Sequence, residues 1–444
     1  GTLQVGSLGY LWHNEDMRQR DYDVVVVGSG AGGSALAMEL SRQGKKVLVL
    51  AQGRDEDAIG TFRDCLRYAD CHPVTKMPPR SKDGVVLWRT LMAGGSTMIS
   101  AANGAPCLES ELADFGVDIS HQLATLQHKL EITPYEAGRL SAATRALREA
   151  ADALGFPMDP IPKFIDSRKC RRCGQCTLGC KYGAKWTAAR FLTEALEGQA
   201  EIRYGHQVKR IVHESGAVTA LEVRSNGGTN YVWADRVVLA AGAVSSPRIL
   251  KASGIDQAGG QLFMDLFVNV YGLHPNLSQT REPQMPLVYH GAYTDSGYIL
   301  SPYINQSRPL RFIELGIPGV FLPTERLMGI MVKIRDDSVG AIPASGVFSK
   351  TVTAEDRLRP DEGIAAARNI LASAGADPKS LVVSTIQGAH PGGTAAIGDV
   401  VGADLQTQVQ NLFVCDASVL PVSPGKPPIL TILALARYLA DVLN

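Results

Sequence analysis

The chain has 444 residues, 45% of them hydrophobic and 20% charged, with 44 Lys and Arg against 44 Asp and Glu. That length exceeds what one hydrophobic core organises, so two domains are expected, and the composition excludes a disordered chain. A formal net charge of zero leaves no positive field to favour nucleic acid or an acidic membrane surface.

Residues 1–20 have no basic flank followed by an apolar run, so no secretory signal is expected there. Asp23 to Val27 reads as a strand, Gly28-Ser29-Gly30-Ala31-Gly32-Gly33 as a turn, the pattern through Ala35, Leu36 and Leu40 as a helix, and Lys46 to Leu50 as a second strand. This is a GxGxxG turn opening a β-turn-helix-β unit, the pattern of a dinucleotide site. Its first Gly permits the tight turn, the second lets a pyrophosphate approach, the third lets helix pack on strand, and the helix N-terminus attracts the phosphates. The acidic residue that commonly ends the second strand is missing: Leu50 is followed by Ala51 and Gln52. Gln52 is either a neutral ribose partner or an exposed polar residue.

Residues 108–160 read as two or three helices separated at Thr133-Pro134. A cysteine segment, 166–185, follows. Of eight cysteines, Cys170, Cys173, Cys176 and Cys180 fall within eleven positions in the spacing of a bacterial ferredoxin run, with Lys181 where proline is usual. Structural zinc sites more often separate two CxxC knuckles by a dozen or more residues. A 4Fe-4S cluster is therefore the expectation, with zinc and simple thiols or disulfides as the alternatives, and with the fourth ligand open between Cys180 and a distant cysteine.

Strand-like alternation returns from Glu201 to Val223, and Val237 to Ala241 reads as a buried strand. From Gln261 to Ser384 short runs broken by Gly and Pro suggest an antiparallel sheet. Leu412 to Cys415 resumes a buried strand before a helix from Ile429. The most apolar stretch, Pro427 to Leu443, is interrupted by Arg437 and Asp441 and is too short to span a membrane, so a cytoplasmic enzyme is expected. The expected fold class is α/β plus antiparallel β. A Rossmann-like FAD-binding domain, discontinuous over 21–260 and 385–444, carries a smaller substrate (cap) domain, 261–384.

Four separated segments, DYDVVVVGSGAGGSALA, AGGSTMISAANG from Ala93, VVLAAGAVSSPRILKASGI from Val237, and AHPGGTAAIG with NLFVCDASVLPVSPGKPPILTI, resemble those of the glucose-methanol-choline (GMC) family of FAD-dependent oxidoreductases. The cysteine run before Gly183-Ala184-Lys185 resembles a subset of that family. The resemblance implies that Gly28, Ser29, Gly30 and Gly33 hold the pyrophosphate, and that Gly95, Ser96 and Asn103 line the isoalloxazine. It also implies that Val208 lies by the adenine, and that Gly242, Asp416 and Ala417 lie along the rest of the cofactor. No His lies between Gly94 and Gly104, where covalently flavinylated relatives carry one, so the FAD is expected to be noncovalent. His390 matches the active-site histidine, and imidazole is suited to accept a hydroxyl proton near neutral pH. Lys426 stands where a second His or Asn is usual.

The reading is a dehydrogenase that oxidises an alcohol by hydride transfer to flavin, its electrons relayed through the cluster to an electron-carrier protein or quinone. The alternatives are a reductase of a carbonyl or activated alkene fed through the cluster, and a non-catalytic flavoprotein electron-transfer subunit.

Overall fold

The computed structural model describes residues 22–55 and 59–444; the reading of residues 1–20 lies outside the described residues. β1 (Val24–Val27), α1 (Ala31–Arg42) and β2 (Val47–Ala51) form the expected unit. All nine strand residues are buried, as unbroken Val and Leu runs require in a parallel sheet covered on both faces. The sheet has five parallel strands in the order Leu412–Val414, Val237–Leu239, β1, β2, Glu201–Tyr204. Val25 pairs with both Val237 and Leu48, and Val237 pairs in turn with Leu412. One edge of the first sheet therefore comes from near the chain's end. The last helix, Ile429–Val442, packs on α1 in the same core.

An antiparallel three-stranded sheet, Gln207–Glu214, Ala217–Ser225 and Gly228–Trp233, extends this region. Helices Glu109–Ala113, Ser120–Lys129 and Ala142–Ala153 occupy the helical stretch, and Thr133–Pro134 is paired with Pro162–Lys163 rather than being a plain break.

The second sheet is built on β3 (Leu266–Leu273), β4 (Tyr298–Pro302) and β5 (Leu327–Ile334), antiparallel with β5 in the middle. Beyond β3 it continues through Gln387–Gly388 to Val86–Leu87, the last pair parallel. The antiparallel centre thus lies in 261–384, but the sheet is completed by short strands from outside that stretch. One element the sequence pattern concealed is α2 (Ala354–Ser373), which starts on a capping box between Thr353 and Asp356. Pro360 and Gly363 lie inside it and mask its period, yet Ala366, Ala367, Ile370 and Leu371 are buried in the second core. Among the described residues no helix is long and apolar enough to cross a membrane.

Candidate active site

A cavity of about 720 Å³ takes its lining from both sheets. At one end lies the glycine turn. Gly28 has φ +110°, and a Cβ there would fall 2.3 Å from the carbonyl oxygen of Ala240, so the fold itself demands glycine. A Cβ on Gly30 would meet no protein atom within 4 Å; the room it leaves belongs to the cavity. Gly33 is outside the lining, and its Cβ would fall 2.0 Å from the Gly28 carbonyl oxygen, so it lets α1 settle onto the turn instead of touching a ligand.

The other cofactor candidates, Ser29, Gln52, Gly95, Ser96, Asn103, Val208, Gly242, Asp416 and Ala417, all reach the cavity wall. Several have structural duties as well. Asp416 accepts hydrogen bonds from the Gly242 backbone N–H at 2.8 Å, from Ser246 Oγ at 2.6 Å and from the Ser418 N–H at 2.8 Å, which ties the helix Gly242–Ala252 to the C-terminal segment. Asn103 Oδ1 accepts from the buried Lys163 ammonium at 2.5 Å. An open cradle at Gly30 beside the N-terminus of the twelve-residue α1, continuous with a long cavity, fits an FAD dinucleotide.

At the other end the strand segment 387–392 pairs with the approach to β3. Leu266 faces Gly388, Phe263 faces Gly392, and the His390 N–H donates to the Met264 carbonyl at 3.2 Å. Between them the chain kinks at Asp265, a fully buried residue with φ 49°. Such left-handed backbone at a non-glycine residue is uncommon and is found preferentially at functional sites. The kink brings Asp265 Oδ2 to 2.8 Å from His390 Nδ1. Ser423 Oγ at 2.7 Å and the Gly425 N–H at 2.9 Å both donate to Asp265 Oδ1, fixing the carboxylate. His390 therefore presents the tautomer that donates from Nδ1, which leaves a basic Nε2. Burial, then the nearby Lys333 ammonium, hold its pKa below the ordinary value, against the pull of Asp265.

The residues that sequence reasoning missed come from the second sheet. Lys333 of β5 and its cross-strand partner Phe267 of β3 both line the cavity, the ammonium 5.2 Å from the ring centroid. Glu314 lies in the wall too, accepting hydrogen bonds from Asn269, Asn305 and Tyr271, and burial raises its pKa. No motif surrounds any of them. Lys426, the expected partner of His390, is not in the lining. Its ammonium sits 4.0 Å from the Tyr293 ring centroid, and the segment reaches the cavity through Pro427 and Pro428. The chain turns at Gly425, whose φ is +57°, immediately before Lys426.

The cysteine loop lies against the cavity from outside. Its turn, Cys176–Leu178, packs on the turn Gly95–Ile99, Thr177 reaches the wall, and Lys185 Nζ ties the carbonyls of Met98, Ser100 and Cys176 together at 2.8, 2.9 and 2.9 Å. Among the described residues no group of three or more His, Cys, Asp or Glu side chains is gathered for a metal ion. As placed, Cys170, Cys173, Cys176 and Cys180 do not make a ligand set for the cluster.

Comparison with known proteins agrees with this geometry. The GMC oxidoreductase family models match residues 22–267 for the N-terminal part and 343–436 for the C-terminal part. The chain is 28% identical over 428 residues to an uncharacterized protein of Methanocaldococcus jannaschii, covering 95% of this chain and 100% of that one. It is 25% identical over 498 residues to a long-chain-alcohol oxidase of Arabidopsis thaliana, covering 93% of this chain and 67% of the relative. The crystal structure of pyridoxine 4-oxidase from Mesorbium loti superposes with a TM-score of 0.72 at 21% identity, over 95% of this chain and 98% of that one, which is a likeness of fold.

Proposed function

Because the chain belongs to the GMC oxidoreductase family, we propose that it removes hydrogen from a substrate alcohol with His390 as the base. It is an FAD oxidoreductase acting on CH–OH groups, and the bound FAD supplies a two-electron acceptor for the carbinol hydride. The observation that carries the role of His390 is its 2.8 Å bond to Asp265 on the wall of a cavity whose far end is the glycine cradle. The chain's own contribution is then explicit. Asp265 holds the imidazole with its Nδ1 proton inward, Nε2 takes the hydroxyl proton, and Ser423 and Gly425 keep Asp265 from rotating. His390→Ala tests this. Anaerobic flavin reduction by a substrate alcohol should slow by roughly 10² to 10⁴ with FAD content unchanged; an unaltered rate removes His390 from the mechanism.

The finer expectation, an iron-sulfur relay to an electron-carrier protein or quinone, rests on the ferredoxin-like spacing and on the contact between the cysteine turn and the Gly95–Ile99 turn. No electron step is derived through it, because the four thiols are not drawn onto one centre. Iron and sulfide analysis of anaerobically prepared protein decides: about four of each per chain supports the cluster, and stoichiometric zinc or no metal removes it. The reductase alternative loses the support it drew from Lys426, which is away from the cavity.

A further inference from the structure

Four lysines are buried among the described residues: Lys163, Lys185, Lys333 and Lys350. An ammonium taken out of water must replace its three hydration contacts with acceptors, and three of the four do so. Lys163 donates to the Ala101 carbonyl at 2.8 Å, the Gln284 carbonyl at 2.7 Å and Asn103 Oδ1 at 2.5 Å. Lys185 donates to three carbonyls. Lys350 pairs with Asp336 at 2.8 Å, lies 3.8 Å from Asp356, and donates to the Asp337 carbonyl.

Lys333 is the exception. Its one oxygen contact is the Asp265 carbonyl, at a long 3.3 Å. Its other polar neighbour is His390 Nδ1 at 3.4 Å, but that nitrogen already donates its proton to Asp265 and has no lone pair to offer, and the Phe267 ring, its centroid 5.2 Å away, supplies no oxygen acceptor. No ion pair joins Lys333 to a carboxylate among the described residues. The side chain is 2% exposed, and it lines the cavity on the same wall as His390. The buried carboxyl groups of the wall are already occupied, Glu314 by Asn269, Asn305 and Tyr271 and Asp416 by Gly242, Ser246 and Ser418. What the cavity has to spare is therefore an amine with unused donors beside the base; burial lowers its pKa while Asp265 and Asp336 pull the other way, and a bound carboxylate would add to that pull towards the charged form.

We propose that Lys333 binds a carboxylate of the substrate, and that the alcohol oxidised here is a hydroxy acid whose carboxylate lies within a few bonds of the carbinol. The ammonium and the imidazole stand together, so one small molecule can place its carboxylate on Lys333 and its hydroxyl on His390. The surrounding cluster of Phe267, Met285, Tyr303 and Met331 provides an apolar bed for the rest of it. This proposal deepens the reading of the chain as an alcohol-oxidising flavoenzyme and rests on it.

The test uses FAD-loaded protein and a panel of α- and β-hydroxy acids, each paired with its methyl ester, which removes the charge and adds one methyl group. The acid should reduce the flavin with a kcat/KM roughly 10- to 100-fold above that of its ester, the effect of a charge-assisted hydrogen bond. In Lys333→Met the ratio should fall to about one. Malonate, which has no hydroxyl to oxidise, provides a second readout. It should perturb the visible flavin spectrum and raise the melting temperature of the wild type, and bind at least about tenfold more weakly to Lys333→Met. Esters oxidised as well as acids by the wild type would overturn the proposal and leave alcohol oxidation standing. Malonate binding that depends on Lys333, with no flavin reduction by any alcohol, would keep the anion site and sink the oxidation reading. Should Lys333→Met fail to fold, the wild-type ratio of acid to ester decides by itself.

Discussion

The hydrogen bonds around Asp265 make Asp265→Asn the sharpest perturbation of the site. Asparagine is among the few residues that adopt left-handed backbone readily, so φ 49° at this position does not oppose the change. The new amide has one carbonyl oxygen and one NH2 to distribute. On one side the Ser423 hydroxyl and the Gly425 N–H donate at 2.7 and 2.9 Å. The backbone N–H cannot reverse its role, so the amide oxygen must stay there and the NH2 must face His390 Nδ1, now 2.8 Å from a donor. The imidazole can accept that hydrogen bond only by moving its proton to Nε2, the nitrogen that should be basic. The variant therefore keeps its shape and holds the wrong tautomer. The expected loss in the rate of anaerobic flavin reduction is roughly 10² to 10⁴, the range for losing a positioned general base. Stopped-flow absorbance at the flavin band, with FAD content and melting temperature measured alongside, gives the result. A rate within about threefold of wild type, in a folded and flavin-loaded variant, would refute the assigned proton position and with it the role of Asp265.

Other outcomes follow from the same geometry. The rate of flavin reduction should rise with pH through a midpoint below the ordinary histidine value of about 6.5 and be flat above it, because burial and Lys333 disfavour the imidazolium; a midpoint above that value contradicts the assignment. The linked effect on stability has the same sign. The unfolded chain binds the extra proton first, so the contribution of His390 is complete above about 6.5 and is lost as pH falls through its depressed folded-state pKa, which urea titrations across that window read out. Gly30→Ala should fold normally yet emerge from purification depleted of FAD, since its methyl group enters the cavity. Gly28→Ala should instead lose stability, because its methyl would collide with the Ala240 carbonyl oxygen. Acid precipitation should release free dinucleotide from the wild type, and colour retained in the pellet would indicate a covalent flavin. Lys426→Met should leave flavin reduction within about twofold and cost up to about 2 kcal/mol, the range of a cation–π contact such as the one on Tyr293.

What could be read from the sequence was local in the chain. The glycine turn is legible because strand, turn and helix are consecutive, and because the steric demands at Gly28 and Gly33 concern atoms close to the turn. His390 is legible because it stands in a contiguous segment with a recognisable neighbourhood. The fold class followed from the change of texture after Gly254, although Pro360 and Gly363 disguised the twenty residues of α2. The place of Lys426 was not legible, because a linear string does not say which way a residue points at the entrance to a helix; in the folded segment Pro427 and Pro428, and not Lys426, line the cavity. Asp265, Lys333 and Glu314 had no signal at all. Asp265 meets His390 from 125 positions away, because one strand kinks where another pairs with it. Lys333 reaches the cavity because it faces Phe267 across the register of β3 and β5. The sequence by itself determined the glycine turn and the two-sheet class, and it singled out His390 as the candidate base. Tertiary structure alone decided which charges surround that base, because cross-strand register brings together residues whose separation along the chain has no regular period.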